Sequence, residues 1–423
     1  MNLLIIGAGG REHAVIKSLK NIKKSALTVN KIFCAPGNAG ISELASLVIL
    51  DIKDHLSVIE FCKKNSINLV FIGPEDPLVD GLADSLRANN ILVFGPSKEA
   101  AQLEGSKIFA KEFMKQAGVP TACADVVDSV ESTMLAAKNY SAPYVLKADG
   151  LAAGKGVFIC ANLKELKNSA ENLFNKKILG DAGGRALLEQ NLQGKEISFL
   201  ILTNGVEFQA LPLAQDHKRL LDHNHGPNTG GMGTLAPMPI EKDLYEKIIT
   251  KVVKPSVENL KNRNYLFRGV LFIGLMIVDD EPFVLEYNVR FGDPETQVIL
   301  PLLQNDMASL FLDLSKGILQ EIKLNKKKVV CIVNAAEGYP DEPVKGTPVA
   351  LPADTPSTYI LHAGTSLVLD KNNRPQLIST GGRVLNVIAI QDNFTLALTS
   401  AYEINSKIVF AKRQFRTDIG QYQ

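Results

Sequence analysis

Five short apolar runs in the first hundred residues, at 3–6, 32–34, 47–50, 69–72 and 91–94, are separated in most cases by stretches long enough for an amphipathic helix. This alternation constrains the chain most. It predicts a parallel sheet with both faces covered, and such sheets bind ligands beyond the carboxyl ends of their strands. The loops at those ends, "GAGGREH" from Gly7, "APGN" from Ala35, "GPEDP" from Gly73 and "GPS" from Gly95, should open on one rim. Gly7 and Gly9 ahead of a helix starting near Gly10 suggest a dinucleotide fingerprint. However, Glu12 stands where the third glycine belongs, and no acidic residue ends the second strand. A helix N-terminus with Arg11 beside it suits a phosphate instead, so a phosphorylated small molecule is the expected ligand. The plain alternative makes Arg11, Glu12 and His13 an ordinary exposed first turn.

The chain has 423 residues, enough for two to four domains at about 150 residues each. Its 46 basic and 45 acidic residues leave a net charge of +1, which removes any general case for nucleic acid or an anionic membrane as partner. The five cysteines are scattered without a C-x-x-C pair and read as reduced thiols. The longest apolar span, 270–278, is far below the roughly 20 residues of a membrane helix. "MNLLIIGAGG" reads as a first strand rather than a leader. A soluble, cytoplasmic protein is expected.

Near residue 100 the pattern becomes helical, and it stops at Gly118-Val119-Pro120. "APYVLKADGLAAGKGVFI" then reads as a strand ending in Lys147, a loop with Gly150, Gly154, Lys155 and Gly156, and a second strand from Val157. The Walker spacing fails, with Asp149 and Gly156 in the places of its first glycine and its Ser or Thr. Glycines between two strands suggest a flap whose N–H groups and Lys155 close over phosphates. In "PFVLEYNVRFGDPETQ", residues 282–297, alternation puts Phe283, Leu285, Tyr287 and Val289 on one face and Glu286, Asn288 and Arg290 on the other. Carboxylate and amide oxygens suit Mg²⁺, and arginine forks onto phosphate. A solvated strand edge is the plain alternative.

Together these strings resemble the ATP-grasp superfamily and, within it, the phosphoribosylamine–glycine ligases, also called glycinamide ribonucleotide synthetases. The resemblance spans nearly the whole chain: "GGREHA" from Gly9, "APGNAG" from Ala35, "GPEDPLVDG" from Gly73, "QLEGSK" from Gln102, "KADGLAAGKGV" from Lys147, "QDHKR" from Gln215, "GPNTGGMG" from Gly226, "EYNVRFGDPETQ" from Glu286, "HAGT" from His362 and "GGRVL" from Gly381. It implies a multidomain α/β and α+β fold. An N-terminal parallel α/β domain (pre-ATP-grasp) would occupy residues 1–102 and bind substrate. An ATP-grasp core would occupy 103–325, with a flap subdomain at about 121–190, and a small C-terminal α+β domain would occupy 326–423.

The resemblance also implies a reaction in purine biosynthesis, in which ATP, glycine and 5-phosphoribosylamine give ADP, phosphate and glycinamide ribonucleotide through glycyl phosphate. Lys107 and Lys147 would bind ATP phosphates under the loop Gly150, Gly154, Lys155 and Gly156. Glu189 and Leu192 would flank adenine, and Glu196 would take the ribose. Glu286 and Asn288 would be the ligands of Mg²⁺ or Mn²⁺. The rim loops place Gly10, Arg11, Asn38 and Glu75 at the acceptor, and Asp216, Lys218, Arg290, Gly292 and Asp293 would complete the reacting centre. Arg290, Lys155 and Asp216 are the expected catalytic groups. His217 reads as fixing its loop, His223 and His225 as incidental, and His362, Gly364 and Gly382 as lining the acceptor side. Small molecules are the expected partners and a monomer the expected state. Two readings compete: another ATP-grasp carboxylate–amine ligase, and a nucleotide-binding protein without catalysis.

Overall fold

The computed structural model describes residues 1–20, 27–152 and 155–421. Strands β1 (Asn2–Gly7), β2 (Lys31–Pro36), β3 (Ser46–Leu47), β4 (Ile67–Ile72) and β5 (Leu92–Phe94) form one parallel sheet in the order β3-β2-β1-β4-β5. Leu3, Leu4, Ile5 and Ile6 are all buried, as expected of a strand covered on both faces. The run at 47–50 is not a full strand. Pairing stops at Leu47, with Leu47 and Ile49 turned to solvent and Val48 and Leu50 packed on the core. At a sheet edge one row of side chains has nothing to pack against, so little holds a longer strand there.

The central sheet is antiparallel, in the order Phe208–Ala210, Lys195–Thr203, Gly269–Val278, Glu281–Asn288. One face, with Phe199, Ile273 and Tyr287, packs on the core shared with the helices Lys107–Ala117 and Lys254–Asn262. Phe272 on the other face joins an aromatic cluster of Phe71, Phe94, Phe291 and Phe311 that ties this sheet to the first. A separate four-stranded sheet, Ala124–Val127, Ala186–Gln190, Tyr144–Ala148 and Val157–Cys160, carries its own apolar core and stands as the flap.

The strand alternation expected over 283–290 is corrected at Leu285. Gly274 pairs with Glu286 but Leu275 pairs with Val284, so Leu285 is an extra residue in a β-bulge. The buried face is therefore Pro282 and Val284 before the bulge, then Tyr287 and Val289 after it, while Phe283 and Leu285 are only half-buried. Glu286, Asn288 and Arg290 still follow one another at period two.

The C-terminal sheet, in the order Gln215–Asp216, Gly233–Ala236, Lys328–Ala335, Arg383–Gln391, Thr358–His362, takes its first two strands from the central region. The helix Phe394–Ser406, capped by Asn393, packs on it through Ala397, Ala401 and Ile404. All five cysteines are free thiols. Among the described residues, no helix is long and apolar enough to cross a membrane.

Candidate active site

The first turn of the helix Gly10–Leu19 is buried rather than exposed, with Arg11, Glu12 and His13 all below a tenth accessible. Its N–H groups already meet carboxylates: Glu12 Oε2 accepts from Gly9 N at 2.6 Å, and Asp293 Oδ2 accepts from Arg11 N at 3.2 Å. Glu12 occupies the space a larger loop residue would need, since a Cβ on Gly73 would lie 1.9 Å from its Oε1. Arg11 is held by that same Oε1 and by Phe291 O at 3.0 Å. Asn38 Nδ2 donates to Ala8 O at 2.8 Å and His362 O at 2.9 Å, which joins the first domain to the C-terminal one. Gly10 is a close approach, because a Cβ there would lie 2.5 Å from Asn386 Nδ2.

On the strand Glu281–Asn288 the carbonyl of the bulged Leu285 accepts from Lys147 Nζ at 3.3 Å. Lys147 also meets Glu189 Oε2 at 2.6 Å, while Lys111 meets Oε1 at 2.9 Å. Burial opposes ionisation of Glu189, yet the two lysines hold its carboxyl below the usual range. Lys107 Nζ stands 3.5 Å from Glu286 Oε2. Burial again works against Glu286, and the charges of Lys107, Lys218, Lys147 and Arg290 outweigh it, holding the carboxyl at about 2. The group is thus an ionised carboxylate among cations. Asn288 Oδ1 beside it accepts from Arg290 Nη2 at 3.3 Å.

Arg290 is gripped on two sides, by Glu104 at 2.7 Å and Glu75 at 3.2 Å. Burial pushes Glu104 up to about 7 even though Arg290 works against that, and Glu104 Oε2 also accepts from Val289 N at 2.8 Å. Lys218 Nζ meets Asp216 Oδ2 at 2.6 Å and Glu295 Oε1 at 3.8 Å, and Ser198 Oγ donates to Glu295 at 3.0 Å. Burial opposes the charge on Lys218, but the acids around it raise its pKa. Glu196 opens onto the cleft; dehydration raises its carboxyl, with Asp216, Glu286 and Glu295 adding to the effect and Lys218 opposing it. Leu192 lies half-buried in the break just before it.

The flap glycines have a packing reason of their own. A Cβ on Gly150 would lie 2.8 Å from Ala182 Cα, and one on Gly156 would lie 2.8 Å from Ala152 Cβ. Gly154 falls outside the described residues. Lys155 is exposed, with Nζ 3.5 Å from Asp341 O in the C-terminal domain. Gly292 leaves room for Glu295, whose Oε2 would be 2.3 Å from a Cβ there. His217 is fastened at both ring nitrogens, to Gly233 O at 3.0 Å and Gly420 N at 3.2 Å. His223 and His225 lie exposed on the following turn. Among the described residues no three His, Cys, Asp or Glu side chains converge as a metal cluster. Gly364 packs on Gly381, and Gly382 on Tyr339.

Four charged residues of the site carried little or no local signal in the sequence: Glu104, Lys111, Glu295 and Arg383. Lys111 follows Lys107 by one helical turn, so a shared face was available as a signal. Glu104, Glu295 and Arg383 gave no local signal, because their partners are distant in sequence.

A flap over an antiparallel sheet, a carboxylate and an amide side by side on one strand, and lysines facing them define an ATP-grasp ligase. The chain matches three models of one family, phosphoribosylglycinamide synthetase: the N domain over residues 1–104, the ATP-grasp (A) domain over 105–296 and the C domain over 329–422. It is 39% identical over 422 residues to phosphoribosylamine–glycine ligase of Caldanaerobacter subterraneus, with 99% of each chain covered. It is 41% identical over 424 residues to the ligase of that name from Agrobacterium fabrum, covering 99% of this chain and 98% of that one. The crystal structure of phosphoribosylamine–glycine ligase from Thermotoga maritima superposes with a TM-score of 0.85 at 34% identity, covering 99% and 100% of the two chains. A biotin carboxylase domain from Hydrogenobacter thermophilus, solved with MgADP and bicarbonate, shares the fold with a TM-score of 0.74 at 18% identity, covering 98% and 91%. The chain belongs to the phosphoribosylglycinamide synthetase family and is an ATP-dependent ligase of purine biosynthesis.

Proposed function

We propose that this site joins glycine to 5-phosphoribosylamine, with ATP cleaved to ADP and phosphate, and that it works as a monomer in the cytoplasm. The observation that carries the reading is the single strand face bearing Glu286, Asn288 and Arg290, with Lys107 3.5 Å from the carboxylate. Glu286 and Asn288 fit Mg²⁺ or Mn²⁺ by chemistry, being hard oxygens that already face cationic groups; such a metal, when bound, neutralises phosphate oxygens and leaves open positions for them.

Glycine's carboxylate is a poor acyl donor at neutral pH. One of its oxygens attacks the γ-phosphorus of ATP, the bond to the leaving ADP oxygen breaks, and glycyl phosphate forms. Lys107, Lys147, Lys155 and Arg290 stabilise the charge on the transferring group. The Asp216–Lys218 pair offers opposite charges to the two ends of a glycine zwitterion. The amine of phosphoribosylamine then attacks the acyl carbon, phosphate leaves and the amine loses its proton. Gly10, Arg11, Asn38, Glu75, Gly292 and Asp293 frame the acceptor. Glu189 and Leu192 line the adenine side through their backbone, and Glu196 takes the ribose. Because water would also cleave the anhydride, the flap with Gly150, Gly154 and Gly156 must close over it.

A coupled ADP assay with each substrate omitted in turn tests the reading. ADP should appear only with both glycine and phosphoribosylamine present. Turnover with a different acid or amine, and none with this pair, overturns it.

A further inference from the structure

Arg383 starts a strand of the C-terminal domain, yet its polar contacts reach the Asp293 loop of the proposed acceptor site and the neighbouring Gly230–Gly231 loop. Its Nη1 donates to Asp293 O at 2.6 Å, to Gly230 O, and to Gly231 O at 3.5 Å, while Nη2 stands 3.4 Å from Asp293 Oδ1. Burial works against an ionised Asp293, and Arg383 is the foremost charge holding its carboxyl below the usual range, with Arg11 next. Asp293 in turn accepts from Arg11 N and from Gln297 Nε2, the latter at 2.7 Å. One guanidinium thus bridges "GPNTGGMG" and "RFGDPE" and, through Asp293, reaches the first helix of the N-terminal domain. Tyr339 OH, also C-terminal, accepts from Gly230 N at 2.9 Å.

The other end of the same segment is fastened separately. Arg416, fully buried, donates to Asn224 Oδ1 at 2.8 Å, and Asp418 accepts from His223 N at 2.8 Å. That end is a structural anchor. Arg383 differs because its side chain is about a fifth exposed and the carboxylates of Asp293, Asp216 and Glu295 act on its charge. A planar fork with several fixed donors can hold three carbonyls and a carboxylate together, and a lysine's single ammonium cannot reproduce that pattern.

We propose that Arg383 is a positioning residue through which the C-terminal domain sets the geometry of glycine and its acceptor, acting by way of Asp293 and the Gly230–Gly231 peptide. The inference rests on the reading of the Asp293 loop as part of the acceptor site. An arginine that only stabilises the domain would affect all substrates alike. A positioning arginine should affect glycine and phosphoribosylamine and spare ATP, whose contacts lie on the flap and the metal-type strand.

The test compares the wild-type chain with Arg383→Gln, Arg383→Lys and Tyr339→Phe, measuring kcat and KM for each substrate and the Kd for MgADP. Arg383→Gln should lose about 100-fold in kcat/KM for glycine and phosphoribosylamine, with the MgADP Kd within about threefold of wild type. Arg383→Lys should recover little, added guanidinium ion should restore part of the loss in Arg383→Gln, and Tyr339→Phe should show a smaller loss of the same kind. Unchanged acceptor kinetics in Arg383→Gln, or an equal loss of MgADP binding, overturns the inference. If Arg383→Gln does not fold, Arg383→Lys and Tyr339→Phe decide by the same criterion. A wild-type chain inactive with this substrate pair defeats the underlying reading instead, which keeps the two failures apart.

Discussion

Lys147 Nζ lies 2.6 Å from Glu189 Oε2, and the two residues are diagonal neighbours on adjacent antiparallel strands of the flap sheet. With Lys111 on the other oxygen, one buried carboxylate balances two lysines. Removing that charge leaves both cations facing each other without compensation, so Glu189→Gln should lose roughly 3 kcal/mol of stability. Lys147→Met should lose less, since Lys111 still answers Glu189. Urea unfolding of the two variants checks the ranking.

Glu286 is surrounded by cations and stays ionised far into acid. Glu286→Ala should fold, because its side chain faces the cleft and not the core. The Mg²⁺ concentration for half-maximal turnover should rise on the order of 100-fold. A metal titration that superposes on the wild type removes Glu286 from the site.

Arg290 depends on Glu104 and Glu75 for its direction. In Glu104→Gln the contact with Val289 N can persist while the ion pair is lost. Turnover should fall about tenfold, which corresponds to about 1.4 kcal/mol on the barrier. Thermal unfolding of the same sample should stay near wild type, separating misdirection of Arg290 from damage to the fold.

Gly231 has φ +110°, and a Cβ there would lie 2.6 Å from Asp216 Oδ1 and 2.6 Å from Pro294 Cδ. Gly231→Ala therefore strains the backbone and pushes on the carboxylate paired with Lys218. Activity should fall sharply with a stability loss of roughly 1–3 kcal/mol. Gly346→Ala, also at positive φ but with open space around it, should lose stability without losing activity.

Burial lowers His13 to about 3, and His217 and His362 to about 4. Each is neutral in the folded chain. As pH falls below about 6.5, the unfolded chain takes up these protons first, so stability is lost between about pH 6.5 and 4, on the order of 3 kcal/mol per histidine. His13 Nδ1 accepts from His362 N at 2.9 Å across the contact between the first and last domains. His13→Asn should lower stability at pH 7.5 and make the acid loss shallower. Chemical unfolding at pH 7.5 and pH 5.0 measures both effects.

The strand face of Glu286, Asn288 and Arg290 was legible in the sequence because period-two spacing is a local property of an extended chain. The same spacing misassigned Leu285, since a bulge depends on how the partner strand pairs and leaves no mark in one strand read alone. The first-turn residues Arg11, Glu12 and His13 looked able to face solvent; domain packing buried them. The flap glycines carried a phosphate signal, and the structure adds that Gly150 and Gly156 also satisfy the flap's own packing.

The amino-acid order by itself determined the parallel first sheet, the flap with its lysines, the shared face of Glu286, Asn288 and Arg290, and the family. Each of these rests on spacing or on strings of adjacent residues. Tertiary structure alone decided which charges meet: Arg290 with Glu104, Lys147 with Glu189, and Arg383 with Asp293. The Coulomb attraction of two charges depends on their separation in space and on the water excluded between them. Strand register and the packing of the domains together set those quantities.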